Sequence, residues 1–375
     1  ANPVVCEPSR VRAQPSPVQS VSSKYNLEQS PRTSTILKQK ADICRKAFRK
    51  LNQYQMDSLK DIDPKILEQL NKLKEKYDVM GQDLSSYLDG LLYSNYLTYW
   101  DYIHLDTLLS LQNPKTDFPD ESIFIIYHQI TELYFKLVLL EMQQIAADEE
   151  MSAEWFLIRL QRMNRYFKHL VDSFSIMVEG MEKEQFLKFR MSLLPASGFQ
   201  SAQYRMIELS ATDLRNLVDK KVRPKLASDA STEEIMQHIY WKNGATELSS
   251  GKKTLTLEQF EKKYMPTFIQ MAEDNADKNL RMVYRRRYAD QDKDGKIAHA
   301  MRLFDLLVNV NWPLAHYRSA VRYLQQDPEV ISATGGTNWQ KYLPPRFQLL
   351  IFFPELWEQE EVENWGKGIA DVDEV

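Results

Sequence analysis

The sequence predicts an all-α protein, and three observations carry that expectation. Glycine is scarce, at 11 of 375 residues. Leu, Lys, Glu, Gln, Met and Ala dominate, all good helix formers. Clear period-2 alternation is rare, while long apolar stretches repeat at helical spacing.

Composition bounds the rest. Apolar residues make up 43% of the chain, enough for a sizeable core in one large domain, or a main domain with an appendage. The formal charge of −4 offers no basic face for nucleic acid. The two cysteines are Cys6 and Cys44, which fits a reducing compartment and argues against a structural disulfide. By eye, no apolar run approaches the ~18 residues of a membrane span, and the N-terminus has no apolar signal core. The expectation is a soluble cytoplasmic protein.

Residues 1–35 are rich in Pro, Ser, Arg and Gln and read as a disordered tail. Residues 36–85 carry Ile36, Leu37, Ile43, Phe48 and Leu51 at helical spacing, then "DIDPKILEQLNKLKEKY" with an Asp cap and Pro64 in the first turn. They read as a two-helix N-terminal extension, and residues 86–375 as the main domain. Within it, "DESIFIIYHQITELYFKLVLLEMQQIAADEE" is apolar over most of its circumference and predicts a buried helix. "SAEWFLIRLQRMNRYFKHLVDSFSIMVEGM" and "EKEQFLKFRMSLL" predict two more. Pro195 and Gly198 break the pattern before helix resumes near "AQYRMIEL". Residues 221–262 are more polar and read as peripheral. "MRLFDLLVNVNWPLAHYRSAVRYLQQ" predicts a second buried helix, started afresh or kinked at Pro313. Thr334-Gly335-Gly336 then marks a loop.

Several side chains invite a chemical reading, each beside a plainer one. Asp290, Asp292, Asp294 and Gly295 stand at the first, third, fifth and sixth positions of a calcium loop, but the twelfth is Met301 rather than Glu. A solvated acidic turn is the better expectation. His128 follows Phe124 by four residues, so imidazole and phenyl ring share one helix face. His316 lies on an apolar helix, where a neutral nitrogen suits an axial haem ligand. Taken alone, each histidine is as well read as a satisfied core residue. Arg190 lies among Phe186, Phe189, Leu193 and Leu194, and needs a carboxylate, internal or from a ligand. The Gly-Gly loop matches no phosphate-binding pattern.

These stretches, in order across residues 99–343, resemble the tryptophan 2,3-dioxygenase family. "YWDYIHLDTLLSLQ" is similar to its early tyrosine helix, and "DESIFIIYHQITELYFKL" to its Asp-Glu-x-x-Phe-Ile-x-x-His-Gln segment. "FRMSLLPASGFQSAQYR" matches its Phe-Arg-x-x-Leu-x-Pro-Ala-Ser-Gly-Phe-Gln-Ser block. "NWPLAHYRSAVRYL" resembles its haem-ligand helix and "ATGGT" its Gly-rich loop. The resemblance implies a helical haem b enzyme, usually a homotetramer (a dimer of dimers), that opens the indole ring of L-tryptophan with O2 to give N-formylkynurenine, in the kynurenine route of tryptophan catabolism. It implies His316 as the iron ligand, with Gly335 and Gly336 beside the cofactor. It implies His128 as the distal group that accepts the indole N–H, Arg190 as the holder of the substrate carboxylate, and Thr334 at the carboxylate and ammonium end. Phe124, Phe186, Leu193 and Ser197 would line the pocket, and Tyr99 and Tyr102 would close it, from a helix that reaches a neighbouring subunit. Tyr93 and Tyr96 fit the same Tyr-x-x-Tyr spacing, but Leu105, Asp106 and Leu109 continue the pattern only from Tyr99.

Four features depart from the family pattern: residues 1–85, a longer stretch between His316 and Thr334, Trp339 where glycine is usual, and Tyr127 before the distal histidine. They bear on the substrate more than on the haem. Two alternatives stand beside this reading. One is a haem monooxygenase or peroxygenase acting on a modified indole or tyrosine. The other is a non-enzymatic haem-binding scaffold.

Overall fold

The structure is a computed structural model that describes residues 62–93, 98–193, 200–245, 253–325, 340 and 343–367. The predicted tail, residues 1–35, lies outside the described residues, as do Ser197, Thr334, Gly335, Gly336 and Trp339. Among the described residues there is helix and turn and no strand; one isolated antiparallel bridge joins Val218 and Ile239. The all-α expectation holds. The chain divides into two compact units, Ala1–Ile103 and His104–Val375.

In the first unit, α1 (Pro64–Val79) starts as its sequence predicts, with the Asp63 carboxylate accepting from the Lys65 N–H at 2.8 Å. No residue of α1 is buried. It meets α2 (Leu84–Tyr93) through Tyr77 and Tyr87, whose ring centres are 5.1 Å apart. The one-turn α3 (Tyr99–Tyr102) ends the unit.

The second unit begins with the short α4 (Leu105–Leu109). Its frame is α5 (Asp120–Ala147) packed on α6 (Ala153–Ser173). In α6, Phe156, Leu160, Met163, Phe167 and Leu170 recur at helical spacing and are fully buried. Each stabilises the fold by about 2 kcal/mol. The Ser152 hydroxyl caps the helix by accepting from Trp155 N–H. The Glu121 carboxylate accepts from the Lys115 and Thr116 N–H groups and so ties the loop before α5 to its first turn.

α5 is long and apolar enough, by length and composition, to cross a membrane. Scanning for uninterrupted apolar runs misses it, because Glu132, Lys136 and Glu141 divide the run. One face is core, with Tyr127, Phe135, Val138, Met142 and Ile145 buried. The opposite face is an exposed apolar row.

After α7 (Ser175–Glu179) and α8 (Lys183–Phe189), α9 (Ala202–Ala211) packs on α5. The main core then takes in α10 (Thr232–Gln237) and α11 (Leu255–Asp274). The reading of residues 221–262 as peripheral is therefore overturned: Met236, Ile239, Trp241, Leu257 and Phe260 are all buried. A polar average hid them because the apolar groups, Ile235–Met236 and Ile239–Trp241, are short and stand between charged stretches. Lys242 is buried too, paired with Glu261 at 2.7 Å.

After the one-turn α12 (Leu280–Val283), the last long element runs unbroken from α13 (Lys296–Leu306) through a wide π turn (Leu307–Asn311) into α14 (Trp312–Leu324). The acidic turn before it is structural: Asp292 accepts from the Ile297 and Ala298 N–H groups, and Asp294 pairs with Lys296. These are helix-capping contacts.

Candidate active site

Five helices of the second unit meet around a separate aromatic cluster. α14 packs on α6, α7 and α8, and α8 also packs on α5. The cluster comprises buried Tyr127, Phe174, Met177, Met181, Phe189, Ala315, Tyr323 and Leu324, flanked by Phe124, Phe186, Leu193 and Trp312 among others. Every described candidate of the second unit falls in or beside it.

His128 stands on α5 one turn after Phe124, and the two ring centres are 4.0 Å apart. Its Nδ1 lies 2.8 Å from the Phe124 carbonyl oxygen. A carbonyl only accepts, so Nδ1 carries the proton and the Nε2 lone pair is left outward as an acceptor. The residue is exposed to water, with the Phe124 and Tyr127 rings beside it. Burial pulls its pKa down, against smaller opposing effects of the Phe124 carbonyl and Glu132. Glu132 is held in turn by Gln203 at the start of α9.

His316, on α14, is partly buried. Burial, helped by proximity to His128, pushes it down to about 4. It is a neutral imidazole at neutral pH. The two histidines are linked ring to ring: Tyr127 lies edge-on to His128 at 6.2 Å and to Phe174 at 5.7 Å, and Phe174 lies 6.0 Å from His316.

Arg190 opens the 3₁₀ turn Arg190–Leu193 at the end of α8 and is only 4% exposed. Burial lowers its guanidinium pKa. Phe186 packs on Tyr323 at 4.5 Å and on Phe124 at 6.3 Å, and so joins α8 to α14 and α5. Tyr99 and Tyr102 belong to the first unit and are exposed.

Sequence reasoning singled out the two histidines and the arginine but missed Phe174 and Tyr323. Phe174 ends α6 in a stretch with no motif, and only the fold brings it to His316. Tyr127, noted as a bulky departure, is a buried part of the wall, its hydroxyl 3.3 Å from Ser173 Oγ.

Among the described residues, no group of three or more His, Cys, Asp or Glu side chains could hold a metal ion. A metal at His316 would have one protein nitrogen, and its other ligands would have to come with it. A neutral imidazole in an aromatic surround fits a macrocyclic iron cofactor on those terms. The open groove lined by Gln144, Ala147, Asp148, Glu150, Met151 and Arg159 is elsewhere. It begins sixteen residues along α5 from His128, about 24 Å away.

Comparison with known proteins assigns the chain to a family. A model of the tryptophan 2,3-dioxygenase family matches residues 91–299, which take in Phe124, His128, Phe186 and Arg190 and stop before His316. A tryptophan 2,3-dioxygenase of Ruegeria sp. (strain TM1040) is 42% identical over 118 residues, 31% of this chain and 42% of that protein. One from Sorangium cellulosum is 36% identical over 154 residues, 38% of this chain and 35% of that protein. One from Ruegeria pomeroyi is 29% identical over 276 residues, 71% of this chain and 92% of that protein. With more than half its residues matched, the chain belongs to the tryptophan 2,3-dioxygenase family.

Proposed function

We propose that this protein is a haem b-dependent dioxygenase that inserts both atoms of O2 across the indole C2–C3 bond of L-tryptophan, giving N-formylkynurenine. The observation that carries the reading is the pair of neutral histidines, His128 and His316, joined through Tyr127 and Phe174 in one aromatic cluster.

His316 holds the iron, and its low pKa keeps the nitrogen free of a competing proton at neutral pH. Bound ferrous haem supplies the activation of O2 that a closed-shell substrate needs. The protein's task is placement. His128 Nε2 accepts the indole N–H, because Nδ1–H is committed to the Phe124 carbonyl. Arg190 takes the substrate carboxylate in a two-pronged clamp. Phe124, Phe186 and Leu193 wall the ring and exclude water. By the family resemblance, Thr334 would meet the carboxylate and ammonium end, Ser197 would line the pocket, and Gly335 and Gly336 would lie beside the cofactor. Both oxygen atoms enter one product, so no external reductant is consumed per turnover.

The functional unit on this reading is a cytoplasmic homotetramer in which Tyr99 and Tyr102 close the site of a neighbouring copy. An apolar row on α5 supports association. Ile126, Ile130, Leu133, Leu137 and Leu140 are each between 39% and 50% exposed. Their alternating spacing of four and three residues is the seam along which helices pair.

The test is anaerobic. The purified protein is reduced, mixed with L-tryptophan and then exposed to oxygen, while N-formylkynurenine and the Soret band are followed together. Product that disappears in His316→Ala supports the proposal. A normal Soret band without product sinks tryptophan as the substrate. No haem binding, even after reconstitution, sinks the enzyme reading altogether.

A further inference from the structure

The wide turn ahead of His316 has a feature that the proposed chemistry does not use. In a π turn each N–H reaches back five residues rather than four, which accommodates one extra residue. Here the Trp312 N–H donates to the Leu307 carbonyl, five residues back. The next donor in that register would be residue 313, pointing at the Val308 carbonyl. Residue 313 is proline and has no N–H.

That carbonyl is served from outside the helix. The Tyr204 hydroxyl, on α9, donates to the Val308 oxygen at 2.9 Å in a fully buried bond. Burial pushes the Tyr204 phenol far up, so it stays a donor at any ordinary pH. Its ring is fixed by Phe135 at 5.4 Å and by the Arg205 guanidinium at 4.8 Å. On the upstream side, the Asn309 amide donates to Asp305 at 2.7 Å. Downstream, Trp312 packs against Phe135 at 5.8 Å and Phe174 at 4.9 Å. The turn is therefore held on three sides.

One residue more or less in a helix turns everything beyond it by about 100°. His316 lies four residues beyond Trp312, so the direction of its imidazole depends on the π turn being kept. We infer that Tyr204 is a positioning residue for His316: its hydroxyl replaces the amide that Pro313 lacks, and so holds the wide turn that aims the imidazole into the aromatic cluster. The inference rests on the reading of His316 as the iron ligand.

The test compares holoprotein of Tyr204→Phe with that of Tyr288→Phe. Tyr288 also bonds a backbone carbonyl through its hydroxyl, that of Met151 at 2.6 Å in a partly buried place, and its ring stacks on Phe156 near the start of α6. Both variants lose one hydrogen bond to a backbone carbonyl and both keep the ring. The readouts are haem loss to an excess of apomyoglobin, the iron–histidine stretching band of the ferrous protein, and the urea midpoint of the apoprotein. Tyr204→Phe is expected to lose haem about tenfold faster, the equivalent of one hydrogen bond, and to shift the stretching band. Tyr288→Phe is expected to lower the urea midpoint similarly and leave both haem readouts alone. Equal effects of the two variants on the haem readouts, or none from either, overturn the inference while leaving His316 as ligand. A wild-type haem spectrum that His316→Ala does not change overturns the ligand assignment, and the inference with it.

Discussion

Replacing Asp305 by alanine tests how the end of the chain is fastened to the helix that carries His316. Asp305 is fully buried and accepts from four donors: Asn309 Nδ2, the Phe352 and Phe353 backbone N–H groups, and Trp357 Nε1. To the protonated carboxyl, the form held at low pH, such bonds contribute about 1.5 kcal/mol each at the high end, so four contribute about 6 kcal/mol. Against this stands the cost of burying the charge. Burial pushes the carboxyl from 3.8 up to about 6, despite the bonds from Phe352, Asn309, Phe353 and Trp357. Keeping it ionised at pH 7 thus costs about 3 kcal/mol. Asp305→Ala should destabilise the protein by the difference, about 3 kcal/mol at pH 7. The sign of the pH effect follows from the raised pKa. The native state holds the proton longer than the unfolded state, so the contribution of Asp305 is complete below about pH 4 and shrinks as pH rises through 6. The penalty of the variant should therefore be about 6 kcal/mol at pH 4 and about half that at pH 7. Urea unfolding of both apoproteins at the two pH values measures it. A loss under about 1 kcal/mol at pH 7, or a penalty that grows with pH, would refute the reasoning.

Three further outcomes are expected. Arg205→Met leaves Glu208 buried beside Tyr240 without its cation, which was 3.0 Å away; burial already holds the carboxyl at about 7, so it takes up a proton, and the variant should cost about 1–3 kcal/mol in urea unfolding; restoring most of that loss with Glu208→Gln in the same chain would identify the stranded carboxyl as its source. Burial pushes Glu121 up, but the bonds from Thr116 and Lys115 outweigh it and its pKa ends below 4.5; its contribution is present above that value and lost as pH falls, so Glu121→Gln should cost about 1–2 kcal/mol at pH 7 and little at pH 3. Leu133→Glu combined with Leu137→Glu puts charges in the exposed row of α5, and sedimentation should show a smaller species with native helix content; an unchanged sedimentation coefficient would separate that row from assembly.

How much of this was legible in the sequence differs by element. The buried faces of α5 and α6 could be read directly, because their apolar residues recur at helical spacing and the caps Asp63 and Ser152 are local signals. His128 and Phe124 could be paired from their spacing alone. The burial of Ile235–Trp241 and of Leu257 and Phe260 could not, since these apolar groups are short and the partners that bury them come from distant helices. The π turn was not legible either. Pro313 signalled a disturbance, but the hydroxyl that makes it tolerable is more than a hundred residues away on α9. Phe174 joins the site only through the packing of α14 on α7. Local chemistry writes itself into local sequence, whereas contacts between distant helices leave no mark on spacing.

Among the described residues, the largest hydrophobic cluster of the second unit and the one around the histidines share one side chain of the His316 helix: Trp312 packs against both. The larger cluster holds the long helices together, and the smaller one surrounds the histidines. Such a partition separates what keeps the chain folded from what selects a ligand. Residues such as Phe186 and Leu193 can change size in the course of evolution at a modest cost to the fold, and new ring substrates can be tried by altering one wall at a time. Trp312 is the exception, because a change there is felt on both sides of the boundary. A lineage exploring new substrates would be expected to vary the walls first and that tryptophan last.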